Sequence, residues 1–434
     1  MQTLRQLQNG ELKGAISLKL SEGLSHFPYE IFDLAETLEI LDLSRNSLSA
    51  LPPDFGRLQK LKIFFCSENL FQVLPEVLAD CPQLDIVGFK SNQIATVPAR
   101  SLNPNIRWLI LTNNRIEKLP VEIGNCLRMQ KLMLAGNRLN TLPETLSHCR
   151  NLSLLRISAN NLDKLPEWLL TMPKLAWLAF SGNPFSKRPV VDSLPLIEWS
   201  ALKLNDVLGE GASGIIFKAS MDAKEVAVKV FKGTVTSDGF PEDEMTTCIT
   251  AGVHPGLVKL IGQITNHPQG NQGLIMELIP ESFYNLGLPP GFESCTRDVF
   301  KEGLQLTIQQ VLNISATIAA VAAQLHSKGI MHGDLYAHNI LTDDAGNTLF
   351  SDFGAACFYD RTAAALEGLE VSAYGYLLED LIALCDSPKE DTIIAKLNVL
   401  RRACAVPDVL ARPGFKQLND ELMMIYEKSL HFFL

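Results

Sequence analysis

The chain has 434 residues, of which 47% are hydrophobic and 20% are charged, and its formal net charge is −10 at pH 7. The length predicts two or three domains, and the composition excludes a disordered, collagenous or coiled-coil chain. Acidic residues outnumber basic ones by 48 to 38, which argues against binding to nucleic acid or to an anionic membrane. The nine cysteines form no Cys-x-x-Cys pair, and no apolar run reaches the length of about 18 residues that a membrane span needs. We therefore expect a cytoplasmic protein without a membrane span.

A repeat with a period of 22 or 23 residues fills the first half of the chain. In each unit an Asn is followed by an apolar residue two positions later and a Pro six positions later. The repeated Asn residues are Asn46, Asn69, Asn92, Asn114, Asn137, Asn160 and Asn183. A degenerate copy with Glu22 in the Asn position precedes them, so we count about eight units. Each unit predicts a short strand, a turn whose Asn amide bonds backbone groups of neighbouring coils, and a looser apolar return.

These units resemble leucine-rich repeats, and the resemblance covers about residues 14 to 195. It implies a curved solenoid with a parallel sheet on its concave side. Three cysteines, Cys81, Cys126 and Cys149, each lie twelve residues after their Asn and are predicted to be buried core residues. We assign residues 1–195 to this solenoid.

The exposed side of the predicted strands carries a stripe of apolar residues. Its apolar members are Ile40, Ile63, Ile86, Trp108, Leu154 and Trp177, and Lys131 is the one charged member. An apolar face on a solvent-facing sheet predicts a covering partner, such as a protein substrate or regulator. Two alternatives remain open, since the side chains could tuck against neighbouring strands or could contact the second domain of the chain itself.

The second domain begins with three glycines in the spacing Gly-x-Gly-x-x-Gly, at Gly209, Gly211 and Gly214. Such glycines let the backbone lie close to phosphate groups, but the spacing also occurs in ordinary turns. Here a β-like run follows directly, and a second run, from Val226 to Val230, carries Lys229. The pattern therefore predicts a hairpin and not the helix of a dinucleotide-binding fold.

Three further motifs follow in order: His332-Gly333-Asp334, then Asn339, then Asp352-Phe353-Gly354. With the glycine loop and Lys229, they closely resemble the protein kinase family over residues 200–434. The predicted fold is therefore multidomain, an α/β leucine-rich repeat solenoid followed by an α+β bilobal protein-kinase fold at residues 196–434. The resemblance also implies an enzyme of the tyrosine-kinase-like group that uses ATP and Mg²⁺.

The resemblance implies a role for each matching residue. Lys229 would hold the α- and β-phosphates, and a carboxylate from the next helix would hold Lys229; Glu244 is the candidate, with Glu242 as the alternative. Asp334 would orient the acceptor hydroxyl and take its proton. Asn339 and Asp352 would ligate Mg²⁺ through oxygen atoms. The implied nucleotide-binding residues are Leu208, Gly209, Gly211, Gly214, Ile216, Ala227, Lys229, Met276, Glu277 and Leu278.

The sequence departs from the kinase pattern in three places. Gly333 replaces the usual Arg before the catalytic Asp, so a phosphorylated loop is not expected to act as the switch. Only sixteen residues separate Gly354 from Glu370, which stands where the central helix usually has Asp, and Glu367 is expected to pair with Arg412. Tyr336 occupies the position where serine/threonine kinases carry Lys, and His338 the position where many tyrosine kinases carry Arg. His326 is expected only to end a helix.

The function that follows is transfer of the ATP γ-phosphoryl group to a protein hydroxyl, on Ser/Thr or possibly Tyr, with the repeats as a binding or regulatory module. Two alternatives stay open. The His-Gly-Asp form is also typical of aminoglycoside and choline phosphotransferases, which phosphorylate small molecules. The third possibility is a scaffold whose kinase-like domain only senses nucleotide.

Overall fold

The structure, a computed structural model, describes residues 2–190, 194–211, 213–232, 235–236, 238–387 and 392–430. Contacts divide it into two compact units. The first comprises Met1–Lys174 and Asn183–Phe185, and the second comprises Leu175–Gly182 and Ser186–Leu434. The strand of the last sequence repeat therefore belongs to the second unit by its contacts. Residues 191–193, near the end of the predicted solenoid, and Ala212 of the glycine loop lie outside the described residues.

The first unit is built from short strands and 3₁₀ turns in regular alternation. After a capped helix, α1 (Leu4–Gln8), the strands are β1 (Ser17–Lys19), β2 (Ile40–Asp42), β3 (Ile63–Phe65), β4 (Ile86–Gly88), β5 (Trp108–Ile110), β6 (Lys131–Met133) and β7 (Leu154–Arg156). They pair in parallel and in chain order. The 3₁₀ helices are Tyr29–Leu34, Phe55–Arg57, Glu76–Asp80, Ala99–Ser101, Val121–Asn125, Glu144–His148 and Glu167–Thr171. The predicted repeat architecture is confirmed.

The repeated Asn residues connect successive coils, as their spacing predicts. Asn114 Nδ2 donates to the carbonyl oxygens of Phe89 at 2.9 Å and Leu111 at 3.0 Å, and its Oδ1 accepts from Ile94 N at 2.9 Å. The same pattern recurs along the unit, for example at Asn137. Because a buried backbone group without a partner costs about 1–3 kcal/mol, each Asn stabilises a turn that would otherwise leave such groups unpaired.

The three cysteines at equivalent positions are buried and free, as predicted. Burial raises the pKa of Cys81 and Cys126 to about 12 and that of Cys149 to about 11. A thiol with so high a pKa stays protonated at neutral pH, so these residues act as small apolar core groups.

The apolar stripe is less accessible than the sequence predicts. Ile63, Ile86, Leu154 and Trp177 are all buried. Ile40 and Trp108 are partly exposed, and the Lys131 ammonium lies 4.1 Å from the centre of the Trp108 ring. A buried side chain has no free surface to offer to another protein. Only the partly exposed members remain available for such contacts.

The second unit opens with β8 (Trp177–Ala179) and continues with a largely antiparallel sheet. Its strands are β9 (Leu196–Glu198), β10 (Lys203–Glu210), β11 (Gly214–Met221), β12 (Lys224–Phe231), β13 (Leu260–Thr265) and β14 (Gly273–Glu277). Their order in the sheet is β10-β11-β12-β14-β13-β9. The hairpin predicted after the glycines is β11–β12. Helix α2 (Pro241–Ala251) interrupts the strands, and Val226, Val228 and Ile275 are among the buried residues of the sheet.

The remainder of the second unit is mainly helical. It contains the helices α3 (Ile308–Ser327), α4 (Ala364–Leu384), α5 (Thr392–Cys404) and α6 (Phe415–Leu430). The short strands are β15 (Tyr284–Asn285), β16 (Ile330–Met331), β17 (Ile340–Thr342), β18 (Thr348–Phe350) and β19 (Cys357–Phe358). By length and composition α3 could cross a membrane, the one such helix in the described part of the chain. Half of that stretch is buried inside the protein, where α3 packs against α4 and α6.

Candidate active site

A cavity of about 750 Å³ lies in the second unit and contains the residues predicted to bind nucleotide. All ten are among its lining residues: Leu208, Gly209, Gly211, Gly214, Ile216, Ala227, Lys229, Met276, Glu277 and Leu278. The lining also includes Glu244, Asn339 and Asp352. The glycine loop, the strand lysine and the Asp352-Phe353-Gly354 motif therefore converge on one cleft, whose size suits a mononucleotide, whereas Asp334 is not one of its lining residues.

The three glycines of the loop differ in whether the packing of the protein requires a glycine at that position. A Cβ on Gly214 would lie 2.5 Å from the Val230 carbonyl oxygen, so Gly214 is required by the packing of the hairpin. A Cβ on Gly209 or Gly211 would meet nothing within 4 Å. Since the protein itself does not require these two glycines, the open space beside them fits a ligand that approaches the backbone closely.

Lys229 on β12 forms an ion pair with Glu244 on α2. Their side chains are 13% and 3% exposed. Burial acts to lower the pKa of Lys229, but the carboxylates of Glu244 and Asp352 raise it above its ordinary value. The ammonium group is therefore charged and available for phosphate oxygens. Glu242, the alternative partner, instead pairs with Arg188.

Asp334 and Asn339 lie in the segment between β16 and β17. Asn339 Nδ2 donates to both the backbone carbonyl and the Oδ2 atom of Asp334, each at 2.9 Å. This arrangement fixes the carboxylate that would accept the proton of an acceptor hydroxyl. His332, two residues before Asp334, is fully buried and contacts the Ser351 carbonyl oxygen at 3.2 Å, which indicates a structural role.

Asn339 and Asp352 provide oxygen atoms that suit a magnesium ion. Asn339 uses its amide hydrogens on Asp334, which leaves its amide oxygen as the ligand atom. Asp352 has a left-handed backbone (φ 59°), and its Oδ1 accepts from Gly354 N at 3.1 Å. Within the described residues, no group of three or more His, Cys, Asp and Glu side chains could hold a metal. Two protein ligands completed by phosphates and water are the usual way of holding Mg²⁺.

Glu370 on α4 anchors the segment that carries Asp334. Its Oε1 accepts from Gly333 N at 2.6 Å, and its Oε2 accepts from His332 N at 3.1 Å. His326 Nε2 contacts the same carboxylate at 2.7 Å, so the prediction that His326 merely ends a helix is wrong. Burial would raise the pKa of Glu370, but the bonds from His326 and Gly333 lower it.

Asp298, a residue that the sequence leaves unassigned, also fixes this segment. Asp298 Oδ1 contacts His338 Nδ1 at 2.6 Å, and its Oδ2 accepts from Ala337 N. Asp298 is an isolated acidic residue in the sequence, so no pattern there indicates this role.

Glu367 and Arg412 both contact backbone groups. The Glu367 side chain accepts from Phe415 N at 2.7 Å, at the start of α6. Arg412 donates to the carbonyl oxygens of Val406 and Gly368.

Trp177 on β8 packs against the same segment. Its indole Nε1 donates to the Leu335 carbonyl oxygen at 2.9 Å, one residue after Asp334. Its ring stacks on Tyr336, with ring centres 4.3 Å apart and planes 4° apart. Tyr376 stacks on it at 5.4 Å. Trp177 therefore supports the catalytic segment, as one of the alternatives for the stripe predicts, and is not free to bind a partner.

Comparison with known proteins identifies both parts of the chain. The family described as the protein kinase domain matches residues 202–377. Leucine-rich repeat families match residues 104–162 and 37–58. The chain thus carries leucine-rich repeats and a protein kinase domain.

Curated relatives match only in part. A probable serine/threonine-protein kinase of Dictyostelium discoideum is 30% identical over 38% of this chain and 10% of its own length. The leucine-rich repeat and calponin homology domain-containing protein 1 of Mus musculus is 29% identical over 30% of this chain and 18% of its own length. The angiopoietin-1 receptor of Danio rerio is 26% identical over 45% of this chain and 20% of its own length. The chain therefore spans no more than a fifth of any of these three relatives.

Proposed function

We propose that this chain, with its leucine-rich repeats and its protein kinase domain, transfers the γ-phosphoryl group of ATP to Ser or Thr hydroxyls of proteins. The observation that carries the proposal is the set of charged groups around one cavity: the Lys229–Glu244 pair, Asp352, and Asp334 joined to the cavity through Asn339. Phosphoryl transfer has a loose transition state, so positioning and charge neutralisation account for most of the catalysis. The choice of Ser/Thr rests on the name of the Dictyostelium relative.

Each group has a task in this proposal. Lys229 binds phosphate oxygens and Glu244 keeps its ammonium in place. Asn339 and Asp352 hold Mg²⁺, which neutralises charge on the phosphates. Asp334 orients the acceptor hydroxyl and takes its proton, with Asn339 fixing its carboxylate.

One feature favours a second candidate, a small-molecule phosphotransferase. Helix α4 begins at Ala364, only ten residues after Gly354, so little chain is available to form a platform for a peptide. Radiolabelled ATP and Mg²⁺ supplied to the full chain, with a protein mixture and with a pool of amino-alcohols and aminoglycosides, separates the candidates. We expect the label on protein as phosphoserine or phosphothreonine. Label on a small molecule supports the second candidate, and no label on either refutes both.

The repeats are proposed to recruit the protein substrate through the part of the stripe that is accessible. Trp108 is partly exposed, and Lys131 sits over its ring at 4.1 Å, an arrangement that suits a partner with apolar and acidic groups. The cysteines in the described part of the chain are free, which supports a reducing compartment such as the cytoplasm.

Truncation of Trp108 tests the recruiting role. We expect Trp108→Ala to reduce labelling of the preferred protein target by at least about tenfold, as loss of an aromatic anchor does. Labelling of a short generic peptide should stay within about twofold, because Trp108 lies outside the kinase domain. Phosphorylation of both substrates by wild type and variant, measured side by side, decides the matter. An equal loss on both substrates contradicts recruitment.

A further inference from the structure

The first turn of α2 carries three consecutive acidic residues, Glu242, Asp243 and Glu244. The side chains of Asp243 and Glu244 are only 4% and 3% exposed. Burial raises the pKa of both carboxyl groups. Two buried carboxylates in adjacent positions destabilise a structure unless each of them meets a cation.

Each of the two carboxylates has its own cation. Glu244 pairs with Lys229 inside the nucleotide cavity. Asp243 pairs with Arg188, whose guanidinium also donates to Glu242 Oε2 at 2.6 Å. Helix α2 is thus held between a lysine of the kinase sheet and an arginine from the segment that follows β8. The repeat and kinase motifs do not include Arg188, so neither pattern indicates this contact.

The segment that carries Arg188 is itself fixed within the second unit. A Cβ on Gly182 would lie 2.5 Å from the ring of Phe240, the residue that caps α2, so the chain passes very close to the start of the helix. Phe180 N donates to Cys357 Sγ at 3.0 Å, and Ser186 Oγ donates to the Phe358 carbonyl oxygen at 3.3 Å. The segment therefore contacts α2 and also β19, the strand after Asp352-Phe353-Gly354. Arg188 extends from an anchored backbone.

We propose that Arg188 is a positioning residue for phosphoryl transfer, which holds the first turn of α2 where Glu244 meets Lys229. Without the guanidinium, the buried Asp243 carboxylate gains free energy by moving towards water. Glu244 is the next residue on the same turn, so that movement draws it away from Lys229. This inference rests on the proposed kinase function.

A double-mutant cycle between Arg188 and Glu244 tests the coupling. Arg188→Ala is expected to reduce kcat/KM for ATP about tenfold, within the range of coupling free energies measured between residues that act on each other. In a Glu244→Gln background the same change should have almost no further effect, because the pair that it supports is already absent. Arg188→Lys should recover part of the loss. Lys187→Ala, which removes the same charge one residue away, is the matched control and should stay near the wild-type value.

A merely structural role predicts different results. Equal losses in both backgrounds, or an unchanged kcat/KM, would each overturn the proposal. Binding of a non-hydrolysable ATP analogue is measured on the four proteins of the cycle, which are the wild type, the two single variants Arg188→Ala and Glu244→Gln, and the double variant. Arg188→Ala should weaken this binding only when Glu244 is present. If the wild-type chain transfers no phosphate, the proposed function fails, whereas the binding cycle still decides whether Arg188 acts through Glu244.

Discussion

Asp334→Asn is expected to lower kcat for protein phosphorylation by more than about a hundredfold, the usual contribution of a positioned general base. The amide is nearly the same size as the carboxylate, and its oxygen can still accept from Asn339 Nδ2. The geometry of the segment is therefore kept while the proton acceptor is lost. Affinity for ATP should change little, because the residues that line the nucleotide cavity are untouched.

The control for this substitution is Asp344→Asn, which makes the same charge change at an exposed turn between β17 and β18. It should leave kcat within about twofold of wild type, as surface changes usually do. Initial rates and ATP-analogue binding on the three proteins separate a chemical role from a structural one. Full activity of Asp334→Asn would refute its assignment as the base and with it the proposed mechanism.

The parts of the molecule that repeat or that match a local motif are predictable from the sequence. Asn114 and its counterparts recur at fixed spacing because every coil presents the same buried backbone groups to its neighbour. Each coil therefore needs the same amide side chain to pair those groups. The residues of the nucleotide cavity are predictable for a related reason. Most of them lie on the β11–β12 hairpin or at residues 276–278, at the end of β14, where short motifs have fixed positions.

Contacts between segments that are distant in the chain are not predictable in this way. The sequence favours Glu244 and leaves Glu242 as the alternative, and only the packing of α2 shows that Glu244 pairs with Lys229 and Glu242 with Arg188. Asp298 and His326 are likewise single residues whose partners, His338 and Glu370, lie 40 and 44 positions away. No periodic pattern records such pairs, since each forms once.

Gly333 shows how one departure from the kinase pattern follows from packing. Its backbone is left-handed (φ 73°), and a Cβ there would lie 2.6 Å from the Leu178 carbonyl oxygen and 2.7 Å from that of Ala355. An Arg at this position would be strained and would collide with β8. The absence of an Arg at position 333 is therefore explained by the presence of β8 beside the catalytic segment. The strand occupies space that the usual side chain would need.

This arrangement leads to the prediction that Trp177→Ala impairs the enzyme even when no partner is present. Trp177 is 2% exposed, stacks on Tyr336 and donates to the Leu335 carbonyl oxygen. Its truncation leaves a large cavity, which for buried Trp or Phe costs about 3–5 kcal/mol of unfolding free energy. Because Leu335 follows Asp334 directly, we also expect basal activity towards a generic peptide to fall by at least about tenfold.

Two further variants identify the cause of the loss. Trp177→Phe keeps an aromatic ring for the stack and removes the N–H donor, so its loss of stability should be smaller, about 1–3 kcal/mol. Trp168→Ala removes a partly exposed tryptophan from the 3₁₀ helix Glu167–Thr171 and should leave the basal rate near wild type. The measurements are the free energy of unfolding and the peptide rate of the purified chains. If Trp177→Ala changed neither quantity, the stacked ring would contribute nothing to the catalytic segment, and the role assigned to β8 would be wrong.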